Sequence, residues 1–136
     1  MPMNETMLET PLMRGLEREL DQTAFRHQVL VSNLANVDTP GYRTRDVPSF
    51  TGEIERAMAG SSAFGPSEED LPALPVMTPV AREVRGLMER PDGNNVSVER
   101  ESLLLAQNQL RFEVAVAFLK SEFHRLSLAI TGGSTS

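Results

Sequence analysis

The chain has 136 residues, which suits one domain and little more. Nineteen Asp and Glu against 13 Lys and Arg leave a net charge of −6, so an overall basic footprint for nucleic acid is missing. There is no Cys, which excludes disulfides, thiolate metal sites and a Cys nucleophile, and no run approaches the roughly 18 apolar residues that a membrane span requires. The first ten residues carry Glu5 and Glu9 but no Lys, Arg or apolar stretch, unlike a cleaved secretory signal. On these features alone the chain is expected in the cytosol.

Residues 1–136 read as a single unit in three stretches. Residues 11–37 contain no Pro after Pro11, residues 38–98 hold seven of the nine Pro and six of the nine Gly, and residues 99–130 contain neither. The fold class expected is mainly α: long N- and C-terminal helices (11–37 and 98–130) paired as a coiled coil, with a Pro/Gly-rich irregular insert and a small β-hairpin between them.

Thr10 and Pro11 read as an N-cap and a first helical residue. From there Met13, Leu16, Leu20, Thr23, His27, Leu30, Leu34 and Val37 step by 3 and 4, a heptad seam with two polar members. Thr39-Pro40-Gly41 ends the helix, because the residue before Pro is pushed out of the α region. In the insert, residues 50–59 suit a turn or two of helix, and residues 59–75, with Glu68, Glu69 and Asp70, suit a solvated loop. Pro91-Asp92-Gly93 is a turn signal, and the runs Val84 to Met88 and Val96 to Val98 on either side are expected to pair as short strands.

The last helix has Ser97 as its N-cap, with Glu99 and Glu101 at the positive end of its dipole. Leu105, Gln109, Phe112, Val116, Leu119, Phe123, Leu126 and Ile130 step by 4 and 3. A second set, Leu103, Leu110, Val114, Ala117 and Phe118, falls almost opposite this seam at about 100° per residue. A two-helix hairpin buries one stripe per helix, so the second stripe is expected to be covered either by the middle region folding over it or by other chains.

Groups for chemistry are sparse. His27 and His124 lack a ligand-spaced partner, Ser61-Ser62 has no base near it in sequence, and no Gly-rich run ends in Lys-Ser or Lys-Thr. No catalytic, metal-binding or cofactor-binding residue is assigned, and neither a small-molecule substrate nor nucleic acid is expected as a partner.

The sharpest local string is Ser32 to Tyr42. Pro40 suits the second position of a type II turn and Gly41 the third, where φ is positive. Asn33 and Asn36 lie one turn apart near the helix C-terminus, where their amides can cap free carbonyls or bond a neighbouring backbone. Asn33, Asn36, Thr39, Pro40, Gly41 and Tyr42, followed by the basic Arg43, resemble the signature of bacterial flagellar axial proteins, the rod, hook and filament-junction subunits. The strings Tyr42 to Val47 and Asp92 to Glu101 are similar to the short proximal-rod members of that family, and the insert of about 60 residues disfavours the larger members.

The resemblance implies a structural subunit exported without a cleaved signal peptide. It also implies assembly in the periplasmic rod of the basal body, against the cytosolic expectation above. Its implied partners are further copies of itself, other rod proteins, and the membrane ring and export gate beneath them. The alternative is a cytosolic α-helical adaptor or secretion chaperone, which gives no reason for the combined Asn and Thr-Pro-Gly-Tyr string.

Overall fold

The computed structural model describes residues 11–49 and 78–132. Helix α1 (Pro11–Ala35) leads into β1 (Arg45–Asp46), and β2 (Arg82–Glu83) precedes helix α2 (Val98–Gly132). At 1.5 Å per residue the helices measure about 38 and 52 Å. They lie antiparallel: Asn33 meets Glu101, Thr23 meets Asn108, and Glu19 meets Arg111. The expected helical turns at 50–59, the acidic loop at 59–75 and the cap at Thr10 lie outside the described residues.

The helices form where the sequence places them, with Pro11 as the first residue of α1. At the start of α2 the Ser97 hydroxyl accepts the Arg100 N–H at 3.3 Å, the expected N-cap. α1 stops at Ala35, two residues before Val37, and the chain passes through a turn in which Asn36 N donates to Ser32 O at 3.1 Å. Tyr42 N donates to Thr39 O at 3.2 Å and Gly41 takes φ 74°, the type II turn that Pro40-Gly41 encodes.

The seams differ from the expected ones in alternate members. On α2 the buried residues are Glu101, Asn108 and Ala115, with Leu105, Phe112 and Leu119 half-buried between them. The heptad is therefore right at Leu105, Phe112, Leu119 and Leu126 but one residue off elsewhere. Gln109, Phe123 and Ile130 are exposed, and Val116 is only half-buried. Helices approach closely where side chains are small, as at Ala115, and Asn108 is drawn inward because its amide donates to Thr23 O at 2.7 Å. A preference for large apolar residues selects Val116 over Ala115, whereas Gln109 stands in the expected seam by its spacing alone. On α1, Met13, Thr23, Leu30 and Asn33 are buried but His27 is exposed. The inward position at that level goes to Arg26, which turns to meet Asp46.

The expected hairpin is not formed. Pro91-Asp92-Gly93 does reverse the chain, with Gly93 N donating to Arg90 O at 2.9 Å, Arg90 N to Asn94 O at 2.8 Å, and Gly93 at φ 85°. That is a three-residue turn closed by a left-handed glycine. Its arms, however, separate to admit a third segment. Gly41 N donates to Asp92 O at 2.9 Å, Asn95 N to Tyr42 O at 3.4 Å, and Val84 N to Thr44 O at 2.9 Å. The sheet pairs β1 with β2, Arg45 opposite Glu83 and Asp46 opposite Arg82. Partners 38 and 36 residues apart form the sheet, in place of the neighbouring runs that local alternation had paired.

Candidate functional site

Where α1 ends and α2 begins, three stretches far apart in sequence converge on Asn33, which has no exposed surface. Its Nδ2 donates to Arg45 O at 2.7 Å and to Glu101 Oε2 at 2.9 Å. Its Oδ1 accepts from Arg45 N at 3.1 Å and from the Tyr42 hydroxyl at 3.2 Å. An amide offers two donors and two acceptor positions, so Asn33 is fully used. It pairs with the backbone of Arg45 on one side and ties α1 to α2 through Glu101 on the other.

Glu101 is likewise wholly buried. Besides Asn33 it receives Arg100 Nη1 at 2.6 Å. Arg100 also approaches Asp46 at 3.9 Å, and Asp46 forms a two-pronged pair with Arg26, Nε to Oδ1 at 2.8 Å and Nη2 to Oδ2 at 2.9 Å. The Arg26 guanidinium is held above its usual pKa, chiefly by the hydrogen bond to Asp46 and against the cost of burial. A buried carboxylate is tolerated here because every charge in the chain Arg26, Asp46, Arg100, Glu101 has an opposite neighbour.

A second amide works at the C-terminus of α1, where backbone carbonyls lack helical partners. Asn94, also fully buried, donates to Asn36 O and Thr39 O at 2.9 Å each and accepts from Arg90 Nη2 at 3.0 Å and Val96 N at 2.8 Å. Arg90 donates to Val37 O, placing a cation at the negative end of the α1 dipole. Asn36 Nδ2 caps Ser32 O at 2.8 Å, and Thr39 Oγ1 donates to Asn36 Oδ1 at 3.1 Å. Asn95 Oδ1 accepts Thr44 N at 2.6 Å, and Asn95 O accepts Thr44 Oγ1 at 3.1 Å. Arg43 reaches Glu83 at 3.0 Å and Glu89 at 2.8 Å on the surface above, and these contacts raise its pKa.

Of the motif residues, Asn33, Asn36, Thr39 and Tyr42 thus meet in one polar clasp, and Pro40 and Gly41 shape the turn that delivers Tyr42. Sequence reasoning missed Glu101, Asn94, Asn95 and the Arg26–Asp46 pair as members. Glu101 was legible only as a first-turn acid. Asn94 and Asn95 stood in the quoted string without a partner, because their partners lie at residues 36–44. The second set behaves as a separate surface. Leu103, Leu110, Val114 and Phe118 are 59%, 61%, 47% and 57% exposed, and Ala117 is exposed beside them.

The clasp spends its hydrogen-bonding groups on the chain itself and leaves no convergent set for a substrate. Below it, a hollow of about 250 Å³ between α1, α2 and residues 47–49 is lined by Arg26, already paired with Asp46, and Arg111, already paired with Glu19. Among the described residues no three His, Asp or Glu side chains group as a metal site needs, and no helix is long and apolar enough to cross a membrane.

No family model matches the chain. Individual proteins do, over nearly its whole length. The chain is 29% identical over 131 residues to the flagellar basal body rod protein FlgB of Salmonella typhimurium, covering 90% of this chain and 94% of that one. It is 27% identical over 122 residues to FlgB of Bacillus subtilis, covering 89% and 94%. To FlgB of Aeromonas hydrophila it is 32% identical over 111 residues, covering 79% and 83%.

Proposed function

We propose that this chain, which belongs to the FlgB family of flagellar basal-body rod proteins, is a subunit of the proximal rod that polymerises through its helices into the drive shaft of motility. The observation that carries the reading is the stripe Leu103, Leu110, Val114, Ala117 and Phe118. It is exposed in the single chain and lies on the side of α2 away from α1. A contiguous exposed apolar surface of this kind marks a site of contact with another protein. Contacts between unlike surfaces that do not close into a ring generate a helical tube.

In this reading the clasp sets the geometry of each subunit and the stripe joins subunits. The role is structural, and torque passes as shear spread over many packed side chains. Neighbouring copies and other rod proteins are the partners along the tube, with the membrane ring and export gate at its base. The chain reaches the periplasmic rod without a cleaved signal peptide.

The test is fractionation of cells carrying a tagged chain. Recovery with purified basal bodies, at the mass of the uncleaved chain, is the expected result. Recovery only in the cytosolic fraction would assign the chain to a helical adaptor or secretion chaperone instead.

A further inference from the structure

We infer that the unassembled chain pairs with a second copy of itself, the two α2 stripes packing antiparallel about a two-fold axis between Val114 and Ala117. This pairing rests on the reading of the stripe as a contact surface, and it names what covers the stripe before the chain joins a larger assembly.

The stripe extends beyond its first apolar members. Leu103, Leu110, Ala117 and His124 recur every seven residues, and Gln107, Val114, Ser121 and Leu128 do so between them. Leu128 is 58% exposed, and Gln107, Ser121 and His124 are exposed as well. The line runs about 37 Å along α2 without a charged residue. Its ends are leucine and its middle is the small Ala117, where two helices can approach closely.

Turned end over end, the stripe matches itself. In the antiparallel register that uses its whole length, Leu103 meets the partner's Leu128 and Val114 meets the partner's Ala117. Gln107 then meets the partner's His124, so the polar members fall opposite each other and can share a hydrogen bond.

The charges along the margins select this register. Glu113 and Lys120 are both exposed on one margin. In this register each faces the other across the pair, and the two-fold axis makes the contact twice. On the other margin Arg111, held by Glu19 at 2.8 Å, comes level with the partner's Phe118, a cation beside an aromatic ring. A slip of one heptad in one direction sets Glu113 against its own counterpart, and a slip in the other sets Lys120 against its own. A parallel pair sets Lys120 against the partner's Arg125. Of these arrangements only the whole-length antiparallel one opposes no like charges.

Such a pair is closed, because both stripes are used and no third copy can add. It competes with any tube built on the same stripe, and it must open before that stripe can serve growth.

The experiment measures self-association of the full chain by sedimentation equilibrium, with circular dichroism as the check on folding. The wild-type chain should form dimers. Glu113→Lys and Lys120→Glu should each weaken the dimer roughly tenfold, and mixing the two variants should restore it as a mixed dimer, since both margins are then complementary again. Orientation is read from a mixture of chains carrying Ala106→Cys and chains carrying Ser127→Cys, the natural chain having no Cys. A short bismaleimide should join position 106 of one chain to position 127 of the other. A chain that stays monomeric up to millimolar concentration overturns the pairing. So does a dimer indifferent to the charge reversals, a mixture that fails to restore association, or a dimer without the 106–127 link. Any of these results with the chain present in basal bodies removes the pair and leaves rod membership intact. The expected dimer, with the chain absent from basal bodies, removes the membership and leaves the pair.

Discussion

Asn33→Ala is the most informative single change, because Asn33 joins α1, the segment after the Pro-Gly turn, and α2. The substitution removes four hydrogen bonds. Those to Arg45 and Tyr42 lie where water can partly replace the lost partner, so their net worth is small. Glu101 is different. It has no exposed surface, and its Oε2 loses the donor at 2.9 Å while Oε1 keeps Arg100. A hydrogen bond to a charged group contributes about 1.5–3 kcal/mol, and a buried acceptor left without a partner adds its desolvation. The expected cost is about 3 kcal/mol, large beside the roughly 5–15 kcal/mol of a typical fold.

The chain supplies its own reporter. Tyr42 is the only tyrosine and there is no tryptophan, so tyrosine emission reports on the clasp directly while far-UV circular dichroism reports on the helices. In urea titrations of dilute chain the Tyr42 midpoint should fall by roughly 2 M for a slope of about 1.5 kcal/mol/M. In the double variant Asn33→Ala/Glu101→Ala the buried carboxylate is gone, so the losses should fall short of additive by about 1–2 kcal/mol. A cost for Asn33→Ala under about 0.5 kcal/mol, or additivity within about 0.3–0.5 kcal/mol, would refute the view that this contact locks the helices together.

Gly41→Val should impair swimming and lower stability by about 1–2 kcal/mol, since Gly41 sits at φ 74° and a β-branched residue resists the left-handed region. Gly41→Asn should be tolerated better, and normal motility with Gly41→Val would make the turn dispensable. Arg26→Lys loses the two-pronged contact with Asp46 and should cost about 1 kcal/mol in the same urea assay. Because the folded state raises the Arg26 pKa, its stabilisation is fully present below the guanidinium range and lost only as pH rises through it. The cost of Arg26→Lys should therefore be flat through neutral pH, and a dependence there would point to another group. Leu110→Asp should leave the helicity of the dilute chain unchanged while abolishing rod formation in cells. Leu119→Asp should lower that helicity, because a carboxylate on the seam is buried without a partner. Equal loss of helicity in both would erase the division between seam and stripe.

What was legible in the sequence was what depends on neighbours within one turn. Pro11, Pro40 and Gly41 act through their own backbone geometry and Ser97 through a hydroxyl that reaches a backbone N–H three residues on, and each stands where the sequence places it. Heptad positions seven apart were legible too, because Leu105, Phe112 and Leu119 are leucine or phenylalanine. The seam's alternate members were not, since Asn108 and Ala115 are buried for fit and hydrogen bonding rather than for hydrophobicity. The strands failed for a different reason. Arg45-Asp46 and Arg82-Glu83 carry no strand signal of their own and pair where the Pro-Gly turn and Asn95 hold residues 41–44 in place beside them. In the clasp, the motif named Asn33 and Tyr42, but nothing at residue 33 points to Glu101, 68 positions away.

The antiparallel pairing of Asp46 with Arg82 has a consequence for how this architecture can vary. It holds the two ends of the intervening segment side by side, on the flank of the clasp rather than within it. Loop closure grows costlier by only about 0.6 kcal/mol for each doubling of length, and among the described residues the partners of Asn33 and Asn94 all lie outside that segment. The clasp thus behaves as a socket: segments of very different length and character can be exchanged there while the helices keep the same relative register and the same outward-facing stripe.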